Sequence, residues 1–160
     1  MERDGDMIPI ADILLPSHIE LSLHACSPTL AIDEVAALLK HAPEVDDWGC
    51  LIRGLHLTAP CLVEATADFA ICIPHIRGDC VNRMVMGVGR SLNGVPRVGE
   101  SCPVRYFFCI GVPRALAADY LRIIGLLARV FKDSRMENEL RLATTPEEFV
   151  AILSQCEARI

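Results

Sequence analysis

Apolar residues along this chain recur with two periods, and the periods alternate. Residues 8–15 form a short apolar segment stopped by Pro16. Residues 19–23 alternate apolar and polar side chains, which predicts a strand because successive strand side chains point to opposite faces. Ser27-Pro28 then opens a helix, with a hydroxyl at the cap and proline at the first helical position. Its inward stripe is Ile32, Val35, Ala36 and Leu39, it runs to about His41, and Pro43 ends it. A second helix is expected over 46–57, with Trp48, Leu51, Ile52 and Leu55 facing inward.

Residues 69–73 form a short buried strand that stops at Pro74. Residues 83–89 read as a further strand, and Ser91-Leu-Asn-Gly94 carries a turn signal. Residues 104–112, with Tyr106, Phe107 and Phe108, predict the central strand, closed by Pro113. The last third is helical. One helix covers 116–131, with Leu121, Ile124, Leu127, Ala128 and Phe131 as its apolar stripe. Ser134-Arg-Met-Glu137 has the capping-box pattern and starts a short helix to Leu142. Thr145-Pro-Glu-Glu148 repeats that pattern and starts the final helix. Alternating strand and helix signals without a linker or repeat predict one α/β domain over 1–160, a mixed sheet with helices on both faces.

Composition narrows the function classes. With 52% hydrophobic and 22% charged residues among 160, the chain can bury a full core without metal or disulfide staples. Its mean hydropathy of +0.36 points to a large core, an apolar interface, or both. A net charge of −6 offers nothing to a phosphate backbone, so nucleic-acid binding is not expected. The most apolar window, 120–131, is interrupted by Arg122 and Arg129, so no membrane insertion is expected. Residues 1–6 are polar and lack the basic-then-apolar order of a signal peptide, which leads to an expectation of a cytoplasmic protein. None of the 8 cysteines stands two residues from another, so no metal site and no cofactor is expected; they read as small, reduced core residues.

The sharpest chemical candidate is His75. It follows Ile71-Cys72-Ile73-Pro74, where a buried strand leaves the core, and strand ends are where open α/β sheets bind ligands. Proline has a fixed φ and no N–H, so the histidine is expected in a loop held by a rigid element. A neutral imidazole is a nucleophile, and phosphoryl transfer to one needs an exposed lone pair and donors for the phosphoryl oxygens. Arg77 offers charge-assisted hydrogen bonds, and Gly78 permits a turn that aims backbone N–H groups at a phosphate. His18, His24, His41 and His56 each have a bland reading as turn or helix-end residues. Arg114, Asp119, Tyr120 and Arg122 surround the start of the long helix. There is no Gly-rich nucleotide loop and no Gly-x-Ser-x-Gly elbow.

The run Ala70-Ile-Cys-Ile-Pro-His-Ile-Arg77 resembles the signature of the fructose/mannitol-type enzyme IIA family of the phosphotransferase system, including its nitrogen-regulatory branch. The resemblance extends over nearly the whole chain. It takes in Arg83-Met-Val-Met-Gly-Val-Gly-Arg-Ser91, Asn93-Gly94-Val95, the aromatic run over 104–113, the helix over 120–131, and 140–153 with Thr145-Pro-Glu-Glu148.

The resemblance implies that His75 takes a phosphoryl group from an HPr-type phosphocarrier and that the surface around it docks partner proteins, among them an unknown regulated protein. The family commonly has a second histidine at the start of the long helix. Here Tyr120 stands at that place, or Asp119 if the alignment slips by one. A phenol can donate a hydrogen bond to a phosphoryl oxygen, so Tyr120 is expected to shape the pocket with Arg77 and Gly78. The family's Ser-Thr-Gly-rich stretch before the histidine is replaced by Glu64-Ala-Thr-Ala-Asp68, and a preceding Arg-Glu pair is not recognisable. The expected function is a phosphoryl-accepting regulator. Its alternatives are an IIA-like interaction module that has lost transfer, and a Cys/His redox or metal protein.

Overall fold

The aromatic run forms the spine of the sheet. In the computed structural model, which describes residues 7–58, 62–64, 68–100 and 102–159, the elements follow in this order. They are α1 (Ile10–Ile13), a 3-10 turn (Pro16–His18), β1 (Ile19–Glu20), α2 (Pro28–Ala37), α3 (Trp48–Leu57), β2 (Leu62–Glu64), β3 (Ala70–Cys72) and β4 (His75–Arg77). Then come β5 (Val85–Val95), β6 (Val104–Val112), a 3-10 turn (Arg114–Leu116), α4 (Ala117–Lys132), α5 (Ser134–Leu142) and α6 (Pro146–Ala158). The strands lie in the order β1-β5-β6-β3-β2, with β4 also against β6. β5 and β6 are antiparallel, as are β2 and β3, whereas β1 runs parallel to β5, and β3 and β4 parallel to β6. The sheet is therefore mixed, as expected.

Each face of the sheet has its own core. Tyr106, Phe108 and Ile110 on one face meet Ile123, Leu127, Phe131, Phe149 and Leu153 from α4 and α6. Phe107 and Cys109 on the other meet Ile32 and Val35 of α2, Leu39 in the turn after it, and Leu51 and Leu55 of α3. Burying these side chains supplies the main driving force, about 1.5–3 kcal/mol for each large apolar side chain. Among the described residues no helix is long and apolar enough to cross a membrane.

Local chemistry explains most element ends. Ser27 Oγ accepts from Leu30 N, Asp47 from Cys50 N and Thr145 from Glu148 N, each closing the start of a helix. α2 stops at Ala37, so His41 lies in the turn beyond it. Two expectations need correction. The helix after Lys132 is capped by Asp133 and not by Ser134, and Glu137 turns inward to Arg105 at 2.8 Å and to the Tyr106 hydroxyl at 3.3 Å. The Ser91–Gly94 signal does not end a strand. β5 continues to Val95 through a register shift after Arg90, and Gly94, at φ +80, takes the left-handed conformation that the irregularity requires.

Arg90 ties the layers together from within. Its Nη1 donates to the carbonyls of Leu140, Arg141 and Ala143, and its Nε to that of Leu21. A buried guanidinium thus satisfies the open carbonyls at the end of α5, where a cation also suits the helix dipole.

Candidate functional site

β3 and β4 run one after the other along the same edge of β6, separated by Ile73 and Pro74. Proline removes a donor but keeps its acceptor, and Ile110 N donates to Pro74 O at 3.0 Å. The chain therefore re-enters the ladder at once, with His75 opposite Ile110 and Arg77 opposite Val112. This corrects the expectation of a loop. His75 opens a short strand, and its backbone is built into the sheet.

The His75 side chain is half-buried and held on three sides. Its Nδ1 lies 3.0 Å from Ile73 O. A carbonyl can only accept, so Nδ1 carries the proton and Nε2 keeps the lone pair. The His75 N–H is donated to Thr58 Oγ1 at 3.0 Å. Thr58 closes the C-terminal end of α3, its hydroxyl shared between Gly54 O at 3.3 Å and Leu55 O at 3.2 Å. The third side is Tyr120, near the start of α4, whose ring centroid lies 4.8 Å from that of the imidazole at an interplanar angle of 37°.

Strand alternation sorts the neighbours. Ile76 packs into the core beneath α2 and α3, which leaves His75 and Arg77 on the opposite face of β4. Arg77 is exposed there. Gly78 is placed differently from the expectation. It continues the strand pairing by donating its N–H to Val112 O at 3.0 Å, and its φ is not positive. That donor is committed to the sheet and is not aimed at an anion. Arg114 reaches back to Asp79 at 3.1 Å in a largely exposed pair, a geometry that contributes little. Asp119, half-buried in the first turn of α4, sits one residue before Tyr120.

Two of the other histidines are engaged with carboxylates. His24 pairs with Glu34 at 3.3 Å and His56 with Asp33 at 2.7 Å. His18 is buried, and that burial pushes its imidazole below the ordinary range, partly opposed by Glu44. Two parts of the His75 arrangement escape sequence reading, the Ile73 carbonyl and the Thr58 hydroxyl. Thr58 is 17 residues away, and only a helix cap of ordinary type marks it.

The family described as phosphoenolpyruvate-dependent sugar phosphotransferase system, EIIA 2, matches residues 12–156. The chain belongs to this family. A IIA relative, the PTS system fructose-specific EIIA component of Haloferax volcanii, is 26% identical over 126 residues, covering 78% of this IIA chain and 81% of the relative. Among solved structures, the nitrogen regulatory protein IIA-Ntr of Neisseria meningitidis superposes with a TM-score of 0.76 at 23% identity, covering 90% of this chain and 98% of that one. Enzyme IIA for mannitol from Escherichia coli, in its complex with phosphorylated enzyme IIB, superposes with a TM-score of 0.66 at 17% identity, covering 87% and 95%. Both share the IIA fold with this chain. Residues 1–6, Cys61 and residues 65–67 of the Glu64–Asp68 replacement lie outside the described residues.

Proposed function

We propose that this chain is a phosphoryl acceptor and that Nε2 of His75 is the accepting atom. The observation that carries the reading is the Nδ1 contact to Ile73 O, which fixes the tautomer and leaves the Nε2 lone pair available. In the transfer, Nε2 forms a bond to phosphorus as the bond from phosphorus to the donor breaks, and that electron pair returns to the donor. The phosphoryl oxygens need donors that are in place before the reaction. Arg77 on the same face of β4 supplies charge, and the Tyr120 phenol supplies a neutral donor.

The donor is a phosphocarrier of the HPr type, in keeping with membership of the family. The mannitol relative's complex with a phosphorylated IIB supports protein-to-protein transfer as the setting. We further read the chain as a regulator of the nitrogen-regulatory kind acting in the cytoplasm, where added phosphate changes the charge of a surface that binds a regulated protein. The fold shared with IIA-Ntr supports that reading.

The test is incubation with a phosphorylated HPr-type donor and measurement of intact mass. One added phosphoryl group, labile in acid and stable in base, is expected on wild type and absent from His75→Ala. Wild-type protein that never gains the group from any such donor would leave an interaction module without transfer.

A further inference from the structure

Cys50 and Cys80 are 30 residues apart in sequence, yet their sulfurs lie 2.7 Å apart. Two thiols in ordinary contact stay farther away, and a disulfide bond is about 2.05 Å long. The approach is imposed by backbone that is already fixed on both sides. Asp46 N and Asp47 N both donate to Cys80 O, at 2.8 and 3.1 Å. Val45 pairs with Val81, and Asn82 N donates to Glu44 O at 2.9 Å. The Asn82 side chain adds bonds to Pro43 O and to Asp46 Oδ1. The segment before α3 and the segment after β4 are thus zipped together, and the Cys50 N–H is itself capped by Asp47.

We propose that Cys50 and Cys80 form a two-cysteine redox site that a peroxide converts to an intramolecular disulfide. The two thiols differ in access. Cys50 is half-buried at the first turn of α3, whereas Cys80 is buried. Burial, and then the neighbouring Cys50, push the Cys80 thiol up to about 11. Cys50 is therefore the attacking group and Cys80 the resolving one.

Cys50 sulfur, as thiolate, bonds to one peroxide oxygen; the oxygen–oxygen bond breaks and the departing hydroxide takes a proton to become water. Cys50 is now a sulfenic acid, oxidised by two electrons. Cys80 sulfur then bonds to Cys50 sulfur, the sulfur–oxygen bond breaks, and hydroxide leaves with the Cys80 proton as a second water. Two thiols and one peroxide yield one disulfide and two waters.

Metal capture by the pair has no support in the geometry, because no three His, Cys, Asp or Glu side chains converge among the described residues. Cys109 and Cys72 are both enclosed in the interior, away from water.

The experiment treats the full chain with stoichiometric hydrogen peroxide under native conditions, then reads intact mass, free thiols and the digest map. Loss of two hydrogens, a fall from 8 titratable thiols to 6, and a linked peptide pair containing residues 50 and 80 are expected. Reduction by dithiothreitol restores the starting values. Cys50→Ser should abolish the loss, and Cys80→Ala should leave a sulfenic acid on Cys50 that dimedone captures. Hydrogen exchange of wild type supplies a readout independent of the variants' folding: the amides of Asp46 and Asp47 should exchange more slowly after oxidation. A linked pair that excludes residue 50 or residue 80, or a mass unchanged by peroxide, overturns the proposal.

Discussion

Gly54 and Ile76 share one narrow space between α3 and β4: a methyl group on Gly54 would lie 2.8 Å from Ile76 Cβ. The contact sets how closely the helix approaches the strand that carries His75. Gly54→Ala gains about 0.8–1.0 kcal/mol of helix propensity. Overpacking against a side chain attached to sheet backbone costs about 1–3 kcal/mol. A net destabilisation of up to about 2 kcal/mol is expected, read as a lower denaturant midpoint. An unchanged or raised midpoint would mean that α3 can shift outward freely.

Thr58 positions His75 through its backbone. Thr58→Val removes the acceptor of the His75 N–H and should cost about 1 kcal/mol, the net worth of a typical hydrogen bond. Chemical denaturation measures the cost, and labelling by the phosphorylated donor should slow as well. A variant that loses stability but labels at the wild-type rate would limit Thr58 to a structural role.

Tyr120 contributes in two separable ways. A hydrogen bond to a charged oxygen is worth about 1.5–3 kcal/mol, so Tyr120→Phe should slow labelling about ten- to a hundredfold if that bond forms only in the transition state. The ring contact with His75 is worth about 0.5–1.5 kcal/mol, so Tyr120→Ala should lose about two- to tenfold more. Rates of mass gain separate the two. Equal rates for Tyr120→Phe and wild type would remove the hydroxyl from the mechanism.

His18 makes stability depend on pH on the acid side. Burial lowers its folded-state value, so its contribution is present above the unfolded value of about 6.5 and is lost as pH falls through the folded value. His18→Met should flatten that dependence. Comparing denaturant midpoints at about pH 7.5 and about pH 5.5 gives the test. A wild-type loss on acidification that the variant shares in full would place the effect elsewhere.

Arg90→Met should be among the most damaging single changes. It removes the donor to carbonyls of Leu21, Leu140, Arg141 and Ala143 while filling much of the same volume. Each buried acceptor left alone costs about 1–3 kcal/mol, so a loss of about 3 kcal/mol or more is expected in equilibrium unfolding. A loss under about 1 kcal/mol would show that water replaces the guanidinium.

The elements that sequence periodicity exposes are those whose signal is local. The helix starts at Ser27, Thr145 and the aromatic strand need only neighbouring residues to be read, and the structure has them. The failures are long-range. β2 at Leu62–Glu64 is too short to carry a period, and β4 exists because β6 offers a partner beyond Pro74. Strict alternation over 104–112 would put Val104 and Tyr106 on one face. Instead Ala70 pairs with Val104 and Ile71 with Tyr106, so Arg105 is an extra residue and the two side chains fall on opposite faces. At the candidate site, His75 and Tyr120 were legible as residue types. The Ile73 carbonyl, Thr58 and the committed Gly78 N–H were not, because each depends on a contact that only the folded chain creates. The Cys50–Cys80 approach belongs to the same class, and it qualifies the reading of all cysteines as inert filler.

The resumption of pairing after Pro74 has one more consequence. A histidine in a flexible loop could report a modification by swinging to a new position, and a partner would recognise a new shape. His75 has little such freedom: its N–H is held by Thr58, and its own strand is zipped to β6. Whatever group the imidazole carries is displayed at a fixed height and angle above the sheet. The difference between the two states would then be written in charge and hydrogen-bonding capacity alone, and a partner that tells them apart must bring complementary charge of its own. Discrimination between those states should therefore weaken steeply with added salt.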